Sequence, residues 1–313
     1  MLTNNHRGAL WILLSGAIAT VMSAGIKALD GEIHSMQIAF LRCAIGFLLV
    51  LPLIYGRHVR ENAGRAPGES KSLISQIRLS PRWPLHLLRG CLAAAAINCG
   101  YYAISQIPLT MVTVIFFTAP LFITIFAVPF LGETVGWRRW CATAVGFLGA
   151  IIVLEPTSGQ FEPPALIAMA SSVLFAGALI IGKKLSTTEA PSTMLLYTTV
   201  ITAVGSFPLA LLVWVTPSLE QLAFIALITV FATGRTYTDI RGYAAGEASF
   251  VAPFSYIRLI FMSAAGYFLF AEVPQSTALL GGGVIIASSL YIARREALLK
   301  KELSRPAAGP SPD

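Results

Sequence analysis

Apolar residues come in long runs along this chain, and the polar ones gather between them. A helix needs about 20 mostly apolar residues to cross a bilayer. Runs of that kind recur at roughly 9–29, 36–55, 84–105, 109–131, 138–154, 164–182, 193–215, 221–243, 249–271 and 276–293. The pattern predicts an all-α membrane protein with ten transmembrane helices joined mostly by short loops. The eighth run is the most interrupted, by Arg235, Asp239 and Arg241.

Composition agrees with lipid as the solvent. Hydrophobic residues make up 56% of the chain and charged residues only 12%, against about 25% charge in a soluble domain. Mean hydropathy is +0.73. The four cysteines, Cys43, Cys91, Cys99 and Cys141, lie within or at the ends of apolar runs with no CxxC pair, so neither a disulfide framework nor a metal site is expected. The first run lacks a small-residue cleavage site before Asp30 and is expected to be a span rather than a signal peptide.

The net charge of +7 has a side. Arg7, then Arg57, Arg60, Arg65, Lys71, Arg78 and Arg82, then Arg138 and Arg139, then Lys183 and Lys184, then the basic residues from Arg294 to Arg305, all fall on one face of a ten-span chain. The opposite connections, 30–35, 106–108, 155–163, 216–220 and 272–275, hold no Lys or Arg. The positive-inside rule then puts both termini in the cytoplasm. It also explains the basicity without a nucleic-acid partner. Trp83, Trp137 and Trp140 fall at the cytoplasmic interface and Trp214 at the outer one, as an aromatic belt would.

A short phrase recurs. Phe130, Leu131, Gly132 and Glu133 end one apolar run, and Phe270, Ala271 and Glu272 end another. Laying Ala9-Leu10 on Ala165-Leu166 without gaps also puts Ser15 on Ser171 and Lys27 on Lys183. The basic loop 56–83 absorbs the difference in register between the two matches. Each half holds five spans, an odd number, so consecutive halves face opposite ways. The expected organisation is two inverted five-helix repeats, 1–158 and 159–296, followed by a disordered cytoplasmic tail, 297–313.

These features resemble the drug/metabolite transporter superfamily, and within it the bacterial EamA-type proteins, over nearly the whole chain. The resemblance is carried by the ten short-looped spans and by the stretch from Pro120-Leu121 to Leu131-Gly132-Glu133. Trp137, Trp140 and Gly149 add to it, as do Val251-Ala252-Pro253-Phe254-Ser255-Tyr256, Glu272 and Gly281. It implies a secondary transporter whose central cavity is lined by spans one, three, four, six, eight and nine. Two departures stand out. Leu259 occupies the place of Pro120 in the second half, and span eight is more polar than the family's usual segment.

Ionisable groups inside a membrane cost at least ~2.5–3.5 kcal/mol on insertion scales, so they tend to face protein or a wet cavity. Arg235 and Arg258 are the deepest. Arg235 and Asp239 are four apart and share a helix face, with Tyr237 between them and Tyr243 extending the stripe. Two readings stand: a binding or gating pair for a solute's acid and amine, or an ion pair that locks span eight. Arg258 and Tyr256 follow Pro253, whose freed carbonyl favours local unwinding beside a cavity; the rival reading pairs Arg258 with Asp239 structurally. In span three, Asn98 and Tyr102 share a face and serve either a solute or an interhelical hydrogen bond. Thr113, Phe116, Phe117 and Pro120 suggest an aromatic wall with a kink in span four, with ordinary packing the favoured reading for most of the phenylalanines. Arg42 is expected to be structural, because second spans lie outside the family cavity. Lys27 is expected to pair with Asp30 and Glu32 in solvent, and Glu133 and Glu272 to cap helix starts.

The candidate solute-binding set is therefore Asn98, Tyr102, Arg235, Tyr237, Asp239, Tyr256 and Arg258. The deep arginines favour a carboxylate-bearing or anionic solute, such as an amino acid, organic acid or nucleotide-like metabolite, moved by rocking of the two halves. The chain has no GxxxxGK[ST] run, and no cofactor is expected. The expected partners are a small-molecule solute and the lipid bilayer, with the chain as a monomer or homodimer. The alternatives are a membrane-embedded enzyme, disfavoured by the lack of an HExxH or paired-carboxylate pattern, and a lipid-handling protein.

Overall fold

The computed structural model describes residues 4–63, 80–132, 135–154, 162–189, 191–245 and 252–303. These residues are helical, with no strand among them. In chain order the helices are α1 (Asn4–Ala28), α2 (Ser35–Ala63), α3 (Trp83–Gln106), α4 (Leu109–Phe116), α5 (Ala119–Leu131), α6 (Trp137–Leu154), α7 (Pro163–Leu185), α8 (Pro191–Leu212) and α9 (Leu219–Ala245). A short 3-10 helix, Ala252–Tyr256, leads into α10 (Ile257–Phe270), and α11 (Ser276–Leu303) follows.

Six helical stretches are long and apolar enough to cross a membrane: His6–Ala28, Trp83–Gln106, Leu109–Leu131, Pro163–Leu185, Thr193–Leu212 and Leu219–Asp239. The other four predicted segments are helical over shorter apolar stretches, Ser35–Leu49, Trp140–Leu154, Phe254–Phe270 and Ser276–Ile292. The outer face is the apolar one. Leu148, Val204, Leu212, Phe268 and Leu280 are all exposed, as lipid-facing side chains should be.

Several boundaries differ from expectation. Helix α11 runs on through 297–303, the start of the expected tail. That stretch is built from Ala, Leu, Lys and Glu, all strong helix formers; residues 304–313 lie outside the described residues. Glu133 and most of the basic loop do too. Helix α9 is continuous across its polar segment. Its hydroxyls bond back into the helix, Thr229 to the Ile225 carbonyl, Thr233 to Thr229, Thr236 to Ala232 and Thr238 to Arg235, so they reach lipid depth already satisfied.

The fourth segment is broken. Phe117 and Thr118 form a turn between α4 and α5, just before Pro120, whose ring cannot follow a regular turn. The Ile115 carbonyl beside the break accepts from the Thr118 hydroxyl at 2.6 Å and the Ser172 hydroxyl at 3.2 Å. Segment nine is also irregular at the matching depth, passing from the 3-10 turn to α10 at Tyr256.

Packing runs between the halves far more than within them. The broadest contacts are α1 with α9, α3 with α7, α6 with α11 and α2 with α8. They come in matching sets: α1 also packs on α10, and α7 on α5. Small residues permit these approaches. A Cβ on Gly149 would lie 2.8 Å from the Gly281 carbonyl oxygen, and one on Gly242 would lie 2.7 Å from Ile12. The two halves are therefore interlocked, and rocking of one intact half against the other would strip most of the tertiary packing.

The repeated phrase has a backbone reason. Gly132 ends α5 at φ 67°, and Ala271 ends α10 at φ 53°. Both copies are left-handed helix caps, which glycine adopts freely and alanine only at a cost.

Candidate functional site

The deep charges of α9 and α10 meet beside α1. Ser15 donates to Asp239 Oδ1 at 2.5 Å, and Arg235 Nε lies 3.7 Å from Asp239 Oδ2, one helical turn away. Helix α1 comes close here because Gly16 lets it: a Cβ there would sit 3.7 Å from the Arg258 Cα and 3.5 Å from the Phe261 ring. Arg258 lies within electrostatic range of both Arg235 and Asp239. Its guanidinium stacks over Phe117 at 5.5 Å from the ring centre, and Tyr256 meets the same ring edge-on at 5.0 Å.

The carboxylate and the guanidinium differ in how far they are satisfied. Asp239 accepts one hydrogen bond, from Ser15, and its other oxygen faces Arg235 at ion-pair distance, with the side chain part-exposed. Arg258 Nε is buried without a hydrogen-bond partner. The guanidinium thus rests on an aromatic face with one buried N–H unused. The break at Phe117 and Thr118 and the 3-10 turn ending at Tyr256 place the aromatic wall, so both helix irregularities converge on one cluster.

Arg235, Asp239, Tyr256 and Arg258 are thus gathered in one place. The other three candidates are not. Asn98 is buried and donates to the Ser206 hydroxyl of α8 and to the Ala94 carbonyl, both at 2.8 Å. Tyr102 lies toward the far end of α3, with its ring 6.4 Å from His34. Tyr237 is exposed, edge-on to Trp11 and beneath the Arg241 guanidinium; two residues from Arg235, it points away from the Arg235–Asp239 face. The side chain of Tyr243 lies outside the described residues. Ser15 belongs to the cluster although span one offered no charge at that depth to mark it; its match with Ser171 was the available signal. Ser171 likewise bonds across the halves, to the Ala96 carbonyl of α3 at 2.8 Å. Arg42 lies over Tyr101 at 5.7 Å.

A second constellation lies at the ends of α1, α3 and α10. Lys27 pairs with Glu272 rather than with Asp30 and Glu32; Glu32 instead accepts from Gln221. The Lys27 ammonium donates to the Ile107 carbonyl at 2.8 Å, and the Glu272 carboxylate accepts the Leu109 N–H at 2.8 Å. Glu272 does cap a helix start, that of α4 in the other half of the chain. Its neighbours are distant in sequence, so local spacing pointed to the wrong partners.

Known proteins resemble the chain throughout. The model of the EamA-like transporter family matches residues 6–155 and again 163–294. An S-adenosylmethionine uptake transporter of Rickettsia bellii (strain RML369-C) is 32% identical over 300 residues, covering 95% of this chain and 96% of that protein. A riboflavin transporter of Vibrio cholerae serotype O1 (strain ATCC 39315 / El Tor Inaba N16961) is 32% identical over 295 residues, covering 93% and 94%. A solved crystal structure with 16% identity covers 96% of this chain and 99% of its own, at a TM-score of 0.55; that likeness is one of fold alone. The helices are those of a multi-pass membrane protein, and the relatives are named as transporters rather than enzymes. The chain belongs to the EamA-like transporter family.

Proposed function

We propose that the chain is a secondary transporter that binds a small anionic or carboxylate-bearing metabolite at Arg258 and carries it by alternating access. The observation behind this reading is an Arg258 Nε that is buried and unpartnered, beside an Asp239 that already accepts from Ser15 and faces Arg235 at 3.7 Å. A carboxylate or phosphate on the solute completes Arg258. Phe117 and Tyr256 then offer ring faces beside it. S-adenosylmethionine and riboflavin, named for the relatives, each carry a fused nitrogen heterocycle, which suits such a wall. A nucleotide-like solute is the preferred class. Asp239 acts from behind the site, holding Arg235 and offsetting part of the positive charge.

The reading keeps ten spans in two inverted five-span repeats, with both termini in the cytoplasm of a bacterial inner membrane. The charge census and the matched cross-half pairings favour it. The moving bodies are mixed: α1, α9 and α10 on one side, α3, α5 and α7 on the other.

The test is exchange of labelled amino acids, organic acids and nucleotides in liposomes bearing the purified protein, with and without a pH gradient. An anionic solute should move, and Arg258→Ala should abolish its movement. If no solute moves and Arg258→Ala leaves every ligand response unchanged, the site is wrong.

A further inference from the structure

The connection between α3 and α4 cannot satisfy its own ends. Pro108 is the residue before α4 and has no side chain to cap it, nor an N–H of its own. Ile107 and Leu109 are each only 1% exposed, and buried backbone groups need partners. They receive them from far along the chain: Lys27 takes the Ile107 carbonyl and Glu272 takes the Leu109 N–H. The two side chains pair with each other and stay 15% and 12% exposed. One donor and one acceptor, set side by side by an ion pair, therefore grip the two backbone groups flanking a proline.

We propose that Lys27 and Glu272 are positioning residues for transport, forming a releasable clamp that closes the outer mouth. This rests on the alternating-access reading and on the orientation given above. The clamp joins the ends of α1 and α10, in one mixed body, to the segment that follows α3, in the other. The long pairings α1–α9 and α3–α7 are packed along their length and costly to part. The clamp is four polar groups at a partly wet rim, and water replaces their bonds at low cost when the mouth opens. The Glu272 carboxylate reaches back to Gly266, about 12 Å along α10 from Arg258 at 1.5 Å per residue. Beneath it, Thr110 donates to Ser263 at 3.0 Å, again joining α4 to α10.

Gly266 provides a way to open the clamp without altering a charge. A Cβ there would lie 2.5 Å from Glu272 Oε2. The carboxylate is the flexible partner and has to move. Ser263→Cys, in a chain with Cys43, Cys91, Cys99 and Cys141 changed to Ala, reports mouth opening by its reaction with a membrane-impermeant maleimide on whole cells. Gly266→Ala and Glu272→Ala should each raise that rate by about tenfold, in line with losing hydrogen bonds to charged groups. Vmax for the transported solute should fall while KM holds. The exchange of charges, Lys27→Glu with Glu272→Lys, should not restore closure, because Glu cannot donate to the Ile107 carbonyl and Lys cannot accept from Leu109. Unchanged labelling in both single variants, or full rescue by the exchanged pair, overturns the clamp. A rise seen only with reagent on the cytoplasmic side keeps the clamp and overturns the orientation.

Discussion

Ser15 Oγ donates to Asp239 Oδ1 at 2.5 Å, although 224 residues separate them in sequence. The bond ties α1 to α9 at the depth of the deep arginines. Ser15→Ala and Asp239→Asn should each lower stability by about 0.5–1.5 kcal/mol, the net worth of a part-buried hydrogen bond. The double variant should lose less than the sum, with a coupling of at least ~0.5 kcal/mol. Denaturation of the four proteins in the same detergent measures it; strictly additive losses would mean that the two groups do not act together.

Arg258 and Asn98 should behave in opposite ways. Arg258→Lys keeps the charge but loses the planar fork that grips an acid group, so uptake of an anionic solute should fall by about tenfold or more, the loss expected for a charge-assisted bond. Asn98→Ala removes a helix–helix bond to Ser206 and should cost only ~0.6 kcal/mol, at most ~1.7, with uptake retained. Uptake kinetics and melting temperature, measured side by side, separate the two roles.

Ala271→Gly should stabilise the protein. The left-handed backbone at Ala271 costs an alanine roughly 1–2 kcal/mol, while the extra freedom glycine gives the unfolded chain costs roughly 0.4–1 kcal/mol. The first exceeds the second, so a gain of up to ~1.6 kcal/mol is expected. A lower melting temperature for the variant would contradict it.

Single cysteines at Ser276 and Ser186 should label from opposite faces of the membrane. Both sites are exposed, one at the start of α11 and the other just after α7. Labelling of both from the same side would exclude the inverted arrangement.

Hydrophobic runs and loop charges made the helices legible, because both signals are local and repeat along the chain. They also pointed to Arg235, Asp239, Tyr256 and Arg258, since charge and proline are conspicuous among apolar residues. The partners were not legible. Glu272 meets Leu109 across 163 residues and Lys27 meets Ile107 across 80, and no spacing rule reaches that far. Tyr237 stands apart from the cluster for a different reason: lying between Arg235 and Asp239 in sequence puts it on another face of the helix. The polar stretch of α9 suggested an interruption, but its threonines bond to their own helix and leave it straight through.

The interlocking of the halves also has a consequence in time. Helix α1 leaves the ribosome long before α9, its main partner, exists; at roughly 5–20 residues per second the wait is on the order of ten seconds or more. During that interval Ser15 and Lys27 have neither Asp239 nor Glu272 to meet. The early helices must be held in the membrane unassembled and kept from wrong neighbours until the last third of the chain is made. For this protein the vulnerable moment is biogenesis, and variants that slow or truncate the second half should send the first half to proteolysis.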